Sequence, residues 1–177
     1  GASSGRALLF TFDGEKLSME EMHRFSNDPV MVSGTYRWDI MRLFFEIKQG
    51  ILNTINNGHK DFEAIGIDTW GVDFGLLDKN GQLIANPYHY RDTRTNGMID
   101  EADKMVGKKY IFERTGIQFS FFNTIFQLLA MIKKDDPALK IADKLLFTPD
   151  LFNYFLTGKM KNEYTISSTS QLLNPYT

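Results

Sequence analysis

The sequence predicts an α/β layer fold, in which strands and helices alternate along one chain. Three observations carry that expectation. Ile40, Leu43, Phe44, Ile47, Ile51 and Ile55 recur at spacings of three and four, the period of a single apolar helix face. That helix leads into residues 64–67, a short apolar run of strand character, and a second such run follows over 72–77. Asp78-Lys79-Asn80-Gly81 then supplies a hairpin turn, because Asn and Gly both tolerate positive φ. Strands that alternate with helices bury their apolar faces by layering.

Taken in order, Arg6-Ala7-Leu8-Leu9-Phe10-Thr11-Phe12 reads as a strand and Asp13-Gly14 as the turn after it. Residues 17–25 return as a longer strand or a strand–helix mixture. Their apolar points, Leu17, Met19, Met22 and Phe25, move from a spacing of two to one of three. Residues 29–34 read as loop. Asp39 is placed to cap the helix of Ile40 to Ile55, and Asn57-Gly58 to stop it. The chain then breaks at Asp68-Thr69-Trp70-Gly71, and after the turn it returns as a strand over 82–84. A weaker helix is expected to carry Met98, Ile99, Ala102, Met105 and Val106 on one side and to end at Gly107, with a helical turn over 110–114. Asn123 can cap a helix with Ile125, Leu128, Leu129 and Ile132 on its apolar face, ended by Asp136-Pro137. Thr148-Pro149 supplies an N-cap and first-turn proline for residues 150–157, closed by Gly158.

Length and composition narrow the function classes. At 177 residues the chain can bury one good core, which sets an expectation of one domain. Fifteen Phe and seven Tyr exclude a disordered chain. A net charge of −2 with Lys and Arg scattered gives no electrostatic footprint for nucleic acid. No apolar run approaches the length of a membrane span, and no signal peptide is visible. Without cysteine there is no disulfide framework and no thiolate metal site, which is compatible with the cytoplasm. His23, His59 and His89 lack ligand-like spacing.

Four stretches could carry chemistry. Gly1-Ala2-Ser3-Ser4-Gly5 leaves room for an anion at the backbone, with two hydroxyl donors and the cation of Arg6 beside it. It is not a Walker loop, since no Lys-Ser/Thr ending is present and a strand follows; a plain turn or a cloning scar fits it as well. Trp70-Gly71 lies at a polar break after a buried strand, where α/β sheets place ligands; Gly71 also serves as a simple bend and Trp70 as core. Tyr90-Arg91-Asp92-Thr93-Arg94 suits a sugar, with rings for its apolar faces and charged groups for its hydroxyls, and suits a surface ion-pair cluster equally. Asp68 and Asp73 can be read as an acid/base pair or as backbone caps, while Phe119-Ser120-Phe121-Phe122 reads as core.

Together these residues resemble the N-terminal part of the FGGY family of carbohydrate kinases, within it the branch acting on L-rhamnulose. The carrying segments are Gly1-Ala2-Ser3-Ser4-Gly5-Arg6, Gly66-Ile67-Asp68-Thr69-Trp70-Gly71-Val72-Asp73-Phe74, Tyr90-Arg91-Asp92-Thr93-Arg94-Thr95-Asn96-Gly97 and Gly116-Ile117-Gln118-Phe119. Leu156-Thr157-Gly158-Lys159 and Glu163-Tyr164-Thr165 extend the match over nearly the whole chain. The resemblance implies an RNase H-like, actin-type ATPase domain, a mixed sheet flanked by helices. It implies ATP phosphates at Ala2, Ser3, Ser4, Gly5 and Arg6, a sugar contact at Gly71 with Trp70 beside it, and a stacking aromatic at Tyr90 where the family usually has Trp.

Mg²⁺ is implied as the ion bridging the phosphates, with no metal ligand assigned to this chain. Glycerol kinases of the family carry a basic–acidic pair where this chain has Gly71-Val72, and xylulokinases a Met-His pair nearby; their absence favours a rhamnulose-type site. Departures count as well. The family's first strand, its C-terminal domain and the catalytic Asp held there are expected to lie outside this chain, and Gln127 and Ala130 stand where the family signature has Lys and Trp. Another ketose or polyol kinase, or a non-catalytic sugar-binding module on the same scaffold, stays open.

Overall fold

The computed structural model of the chain describes residues 1–176. Strands β1 (Ser4–Phe12) and β2 (Leu17–Ser26) form an antiparallel hairpin, in register from Ser4↔Ser26 to Phe12↔Leu17 with a bulge between Ala7 and Leu8. Its turn is closed by Asp13, whose Oδ1 accepts from the amides of Glu15 at 2.9 Å and Lys16 at 2.7 Å. A second hairpin pairs β3 (Val30–Val32) with β4 (Thr35–Arg37), where the sequence predicts loop. Ser33 and Gly34 both take positive φ, 48° and 77°, and that two-residue geometry matches the twist of paired strands. Helix α1 (Ile40–Asn56) follows as expected, with the Asp39 side chain accepting from the Arg42 amide at 3.2 Å. It packs closely on β1: a Cβ at Gly50 would lie 2.5 Å from that of Ala7.

The central core gathers Trp38, Ile40, Leu43, Leu77, Leu146 and Leu151. Leu77 belongs to β5 (Phe74–Leu77), which pairs antiparallel with β6 (Lys144–Phe147), an unpredicted strand. The Asp78–Gly81 turn forms, with Gly81 at φ 77° and the Asp78 carboxylate accepting from the amides of Asn80 and Gln82. The return does not become a strand: it makes a single bridge, Leu77↔Leu83, beside the bond from the Ile84 amide to the Leu76 carbonyl at 3.0 Å. Helices α2 (Met98–Val106), α3 (Lys108–Thr115) and α4 (Thr124–Lys133) follow. Asp136-Pro137 both ends α4 and starts α5 (Pro137–Ile141), Asp136 capping Ala138. Helices α6 (Thr148–Thr157) and α7 (Tyr164–Ser168) complete the set, α6 closing at Gly158 with φ 72°.

The predicted strand over 64–67 is not formed. Among the described residues, no backbone–backbone hydrogen bond involves 60–70. Apolar, β-branched composition allows a strand, but only a paired neighbour makes one. Between this segment, β1 and α1 lies a groove of 990 Å³, lined by Gly5, Leu8, Ile47, Ile65, Asp68 and Trp70 among others. The strands therefore stand as three two-stranded antiparallel ladders around the helices. No helix of the described residues is long and apolar enough to cross a membrane.

Candidate sugar and phosphate site

The break that begins at Asp68 ends in a strained residue. Val72, a buried β-branched side chain, sits at φ 65°, a conformation that costs about 1–3 kcal/mol. It is held from both sides: its carbonyl accepts from Thr124 Oγ1 at 2.7 Å and its amide donates to Thr169 Oγ1 at 3.2 Å. Gly71 is not the left-handed residue, so its role is not the bend. A Cβ there would lie 3.1 Å from Thr169 Oγ1 and 3.3 Å from its Cβ. The space that glycine keeps clear on this side adjoins the side chain of Thr169, just past α7.

Asp73 is fully buried and organises the site. Its Oδ2 accepts from Trp38 Nε1 at 2.6 Å, Trp70 Nε1 at 2.9 Å and the Tyr90 amide at 3.2 Å, while Oδ1 accepts from Gln127 Nε2 at 2.8 Å. Burial raises its carboxyl to about 6, against the pull of those donors and of Arg94. Its own carbonyl accepts the amide and hydroxyl of Thr148, which ties it to the start of α6. A carboxylate so enclosed is not a general base, and the Asp68–Asp73 acid/base reading fails, since Asp68 is exposed and Asp73 wholly inside.

The aromatic residues form one wall around that carboxylate. Trp38 packs on Trp70 and on His89, each with centroids 4.1 Å apart, and His89 stacks on Tyr90 at 4.6 Å. Phe122 meets Tyr90 edge-on at 5.9 Å, so this residue of the expected core cluster reaches the site, while Phe119 packs on Phe126. Burial, with the charge of Arg91, lowers the His89 ring to about 4 and keeps it neutral at neutral pH. Trp70, Gly71 and Tyr90 are brought together, and each stays half-buried, with surface left to meet a ligand.

Asp92 and Arg94 are neither a surface cluster nor sugar contacts. Asp92 caps the 3-10 turn Thr93–Thr95 through the Arg94 amide at 2.9 Å and accepts the Tyr36 amide at 2.8 Å. Arg94 lies buried over the Tyr88 ring at 4.0 Å and donates to Gln127 Oε1 at 2.5 Å. Sequence reasoning missed Trp38 and Gln127 as partners of Asp73. The Gln127 departure from the family pattern was the available signal.

At the other end, β1 begins at Ser4, so the small-residue turn shortens to Gly1, Ala2 and Ser3. Gly5 is a packing glycine: a Cβ would fall 2.0 Å from the Phe25 ring. Among the described residues, the amides of Ala2 and Ser3 and the hydroxyls of Ser3 and Ser4 have no protein acceptor, and Arg6 is exposed without an ion pair. Unpartnered donors beside a cation are the chemistry a phosphate needs. No trio of carboxylate or imidazole groups converges among the described residues.

The FGGY family of carbohydrate kinases, N-terminal domain, matches residues 1–177. Rhamnulokinase of Bacteroides thetaiotaomicron is 45% identical over the full chain, and that of Oceanobacillus iheyensis 42%. The chain spans only 36% and 37% of those two proteins. Xylulose kinase from Lactobacillus acidophilus superposes with a TM-score of 0.84 at 17% identity, over 98% of this chain and 35% of that one. Glycerol kinase from Plasmodium falciparum does so with 0.71 at 16%, over 89% and 35%. These two likenesses establish the actin-like ATPase fold. With the family match covering every residue and the fold shared with sugar kinases, the chain belongs to the FGGY family of carbohydrate kinases, as an N-terminal domain.

Proposed function

We propose that this chain is the sugar-side part of an ATP-dependent kinase that phosphorylates L-rhamnulose at O1. The observation that carries the reading is the wall of Trp70 and Tyr90 gathered on Asp73 next to Gly71, in a chain 45% identical throughout to a rhamnulokinase. Indole and phenol faces take the apolar face of a ketose, and the Gly71 backbone gives it close approach. Ala2, Ser3, Ser4, Gly5 and Arg6 hold the phosphates by amides, hydroxyls and charge. When bound there, ATP with Mg²⁺ supplies the phosphoryl group and neutralises its charge. The catalytic base is an Asp of a C-terminal domain outside these 177 residues, and a strand preceding Gly1 carries a further phosphate-associated Asp. The groove of 990 Å³ between β1 and 64–67, with Leu8, Ile47 and Ile65 in its lining, supports the reading of such a strand. Closure over the sugar keeps water from the acceptor position, where it would hydrolyse ATP.

A coupled ADP-release assay of the intact protein with a ketose and polyol panel tests this. The highest kcat/KM is expected for L-rhamnulose, and no turnover for the 177-residue chain alone. Preference for glycerol or xylulose would overturn the substrate, and turnover by the isolated chain would overturn the placement of the base.

A further inference from the structure

We propose that Asp73, Gln127 and Arg94 form a relay of fixed hydrogen-bond polarity that positions Trp70 and Tyr90, with Asp73 and Gln127 as its positioning residues. The inference deepens the functional reading, since it takes the Trp70–Tyr90 wall as the one that meets the sugar.

The polarity follows from what each group can do. Arg94 only donates, and its Nη2 reaches Gln127 Oε1 at 2.5 Å. Gln127 Nε2 then faces two near acceptors, Asp73 Oδ1 at 2.8 Å and the Phe122 carbonyl at 2.9 Å, with the Val72 carbonyl farther off at 3.4 Å. Flipping the amide would set oxygen against both of those oxygens and nitrogen against the guanidinium, so its orientation is dictated from both ends. Asp73 Oδ1 must therefore accept, and Oδ2 is left to gather Trp38, Trp70 and Tyr90. Arg94 is itself anchored by Tyr88, by the carboxylate of Asp92 at 3.6 Å and by the His89 carbonyl at 3.4 Å. Among the described residues its Nε has no partner, so these other contacts set its place.

The relay works only while Asp73 is ionised, because a proton on either oxygen displaces a donor. Among the described residues, the charge that acts on Asp73 is Arg94; His89, packed on Trp38, is neutral above about 4, and Asp92 faces Arg94. Removing a donor from a buried carboxylate raises its pKa further, so each relay variant carries a pH signature that loss of packing alone would not.

The experiment uses the intact protein with Gln127→Leu and Trp70→Phe, the second keeping a ring while deleting the N–H. For whichever ketose the wild type uses best, each raises sugar KM about tenfold or more, while ATP KM stays within about twofold. The acid limb of the sugar kcat/KM profile moves to higher pH. Trp38 and Trp70 both donate to Asp73, so tryptophan emission followed against pH in Gln127→Leu shows the same upward move of its midpoint, with no turnover required. An unmoved midpoint and acid limb, or sugar and ATP KM rising together, would overturn the relay. If Gln127→Leu does not fold, Trp70→Phe decides by KM split and acid limb. Should the protein turn over no ketose, the functional reading fails while the emission midpoint still judges the relay.

Discussion

Asp73 should make this domain less stable as pH rises through the mildly acidic range. In the unfolded chain its carboxyl titrates near 3.8, and in the fold burial holds it at about 6. Between those values the folded state binds a proton that the unfolded state has released, so stability falls with rising pH. The sign is that of a raised carboxyl: its contribution is fully present below 3.8 and lost once pH passes about 6. At about 1.4 kcal/mol per pH unit, the loss approaches ~3 kcal/mol. Asp73→Asn removes the titration and leaves a constant penalty, since the amide NH₂ meets Gln127 Nε2 donor to donor. Urea unfolding of both forms, followed by far-UV circular dichroism from about pH 3.5 to 7.5, reads the difference. The advantage of wild type over Asp73→Asn should shrink by ~3 kcal/mol across that range and then level off. A flat difference, or one that grows with pH, would refute the claim that burial governs this carboxylate.

Two further predictions concern local structure. Asp39→Ala deletes the cap on α1 and should cost about 1 kcal/mol in urea unfolding, with no change in the slope against denaturant. Gly71→Ala sets a methyl 3.1–3.3 Å from Thr169 and should destabilise by about 1–3 kcal/mol, seen as a lowered Tm; unchanged stability would return Gly71 to the role of clearing space for a ligand.

What the sequence revealed divides along the range of the interactions involved. The Asp39 cap, the Asn80-Gly81 turn and the Gly158 stop rest on contacts within a few residues, and each stands where it was expected. The 64–67 strand failed because its apolar pattern says nothing of a pairing partner. β3 and β4 were missed because three-residue strands leave no period to read, and only Ser33-Gly34 marked their turn. Trp70, Gly71 and Tyr90 were legible as site candidates, and the structure gathers them. Asp92 and Arg94 were misjudged because a buried ion pair and a solvated one look alike in sequence. Gln127 joins Asp73, 54 positions away, and Arg94, 33 positions away, a convergence that folding alone creates. Its identity was visible as a departure from the family pattern, but not its purpose.

The central claim is phosphoryl transfer to the primary hydroxyl of a six-carbon deoxyketose. Phosphorus NMR of the product made by the intact protein from ATP and L-rhamnulose tests it most directly. The account predicts a new phosphate-ester resonance split by the two protons on C1. Splitting by a single proton, or ADP released with only inorganic phosphate formed, would contradict it.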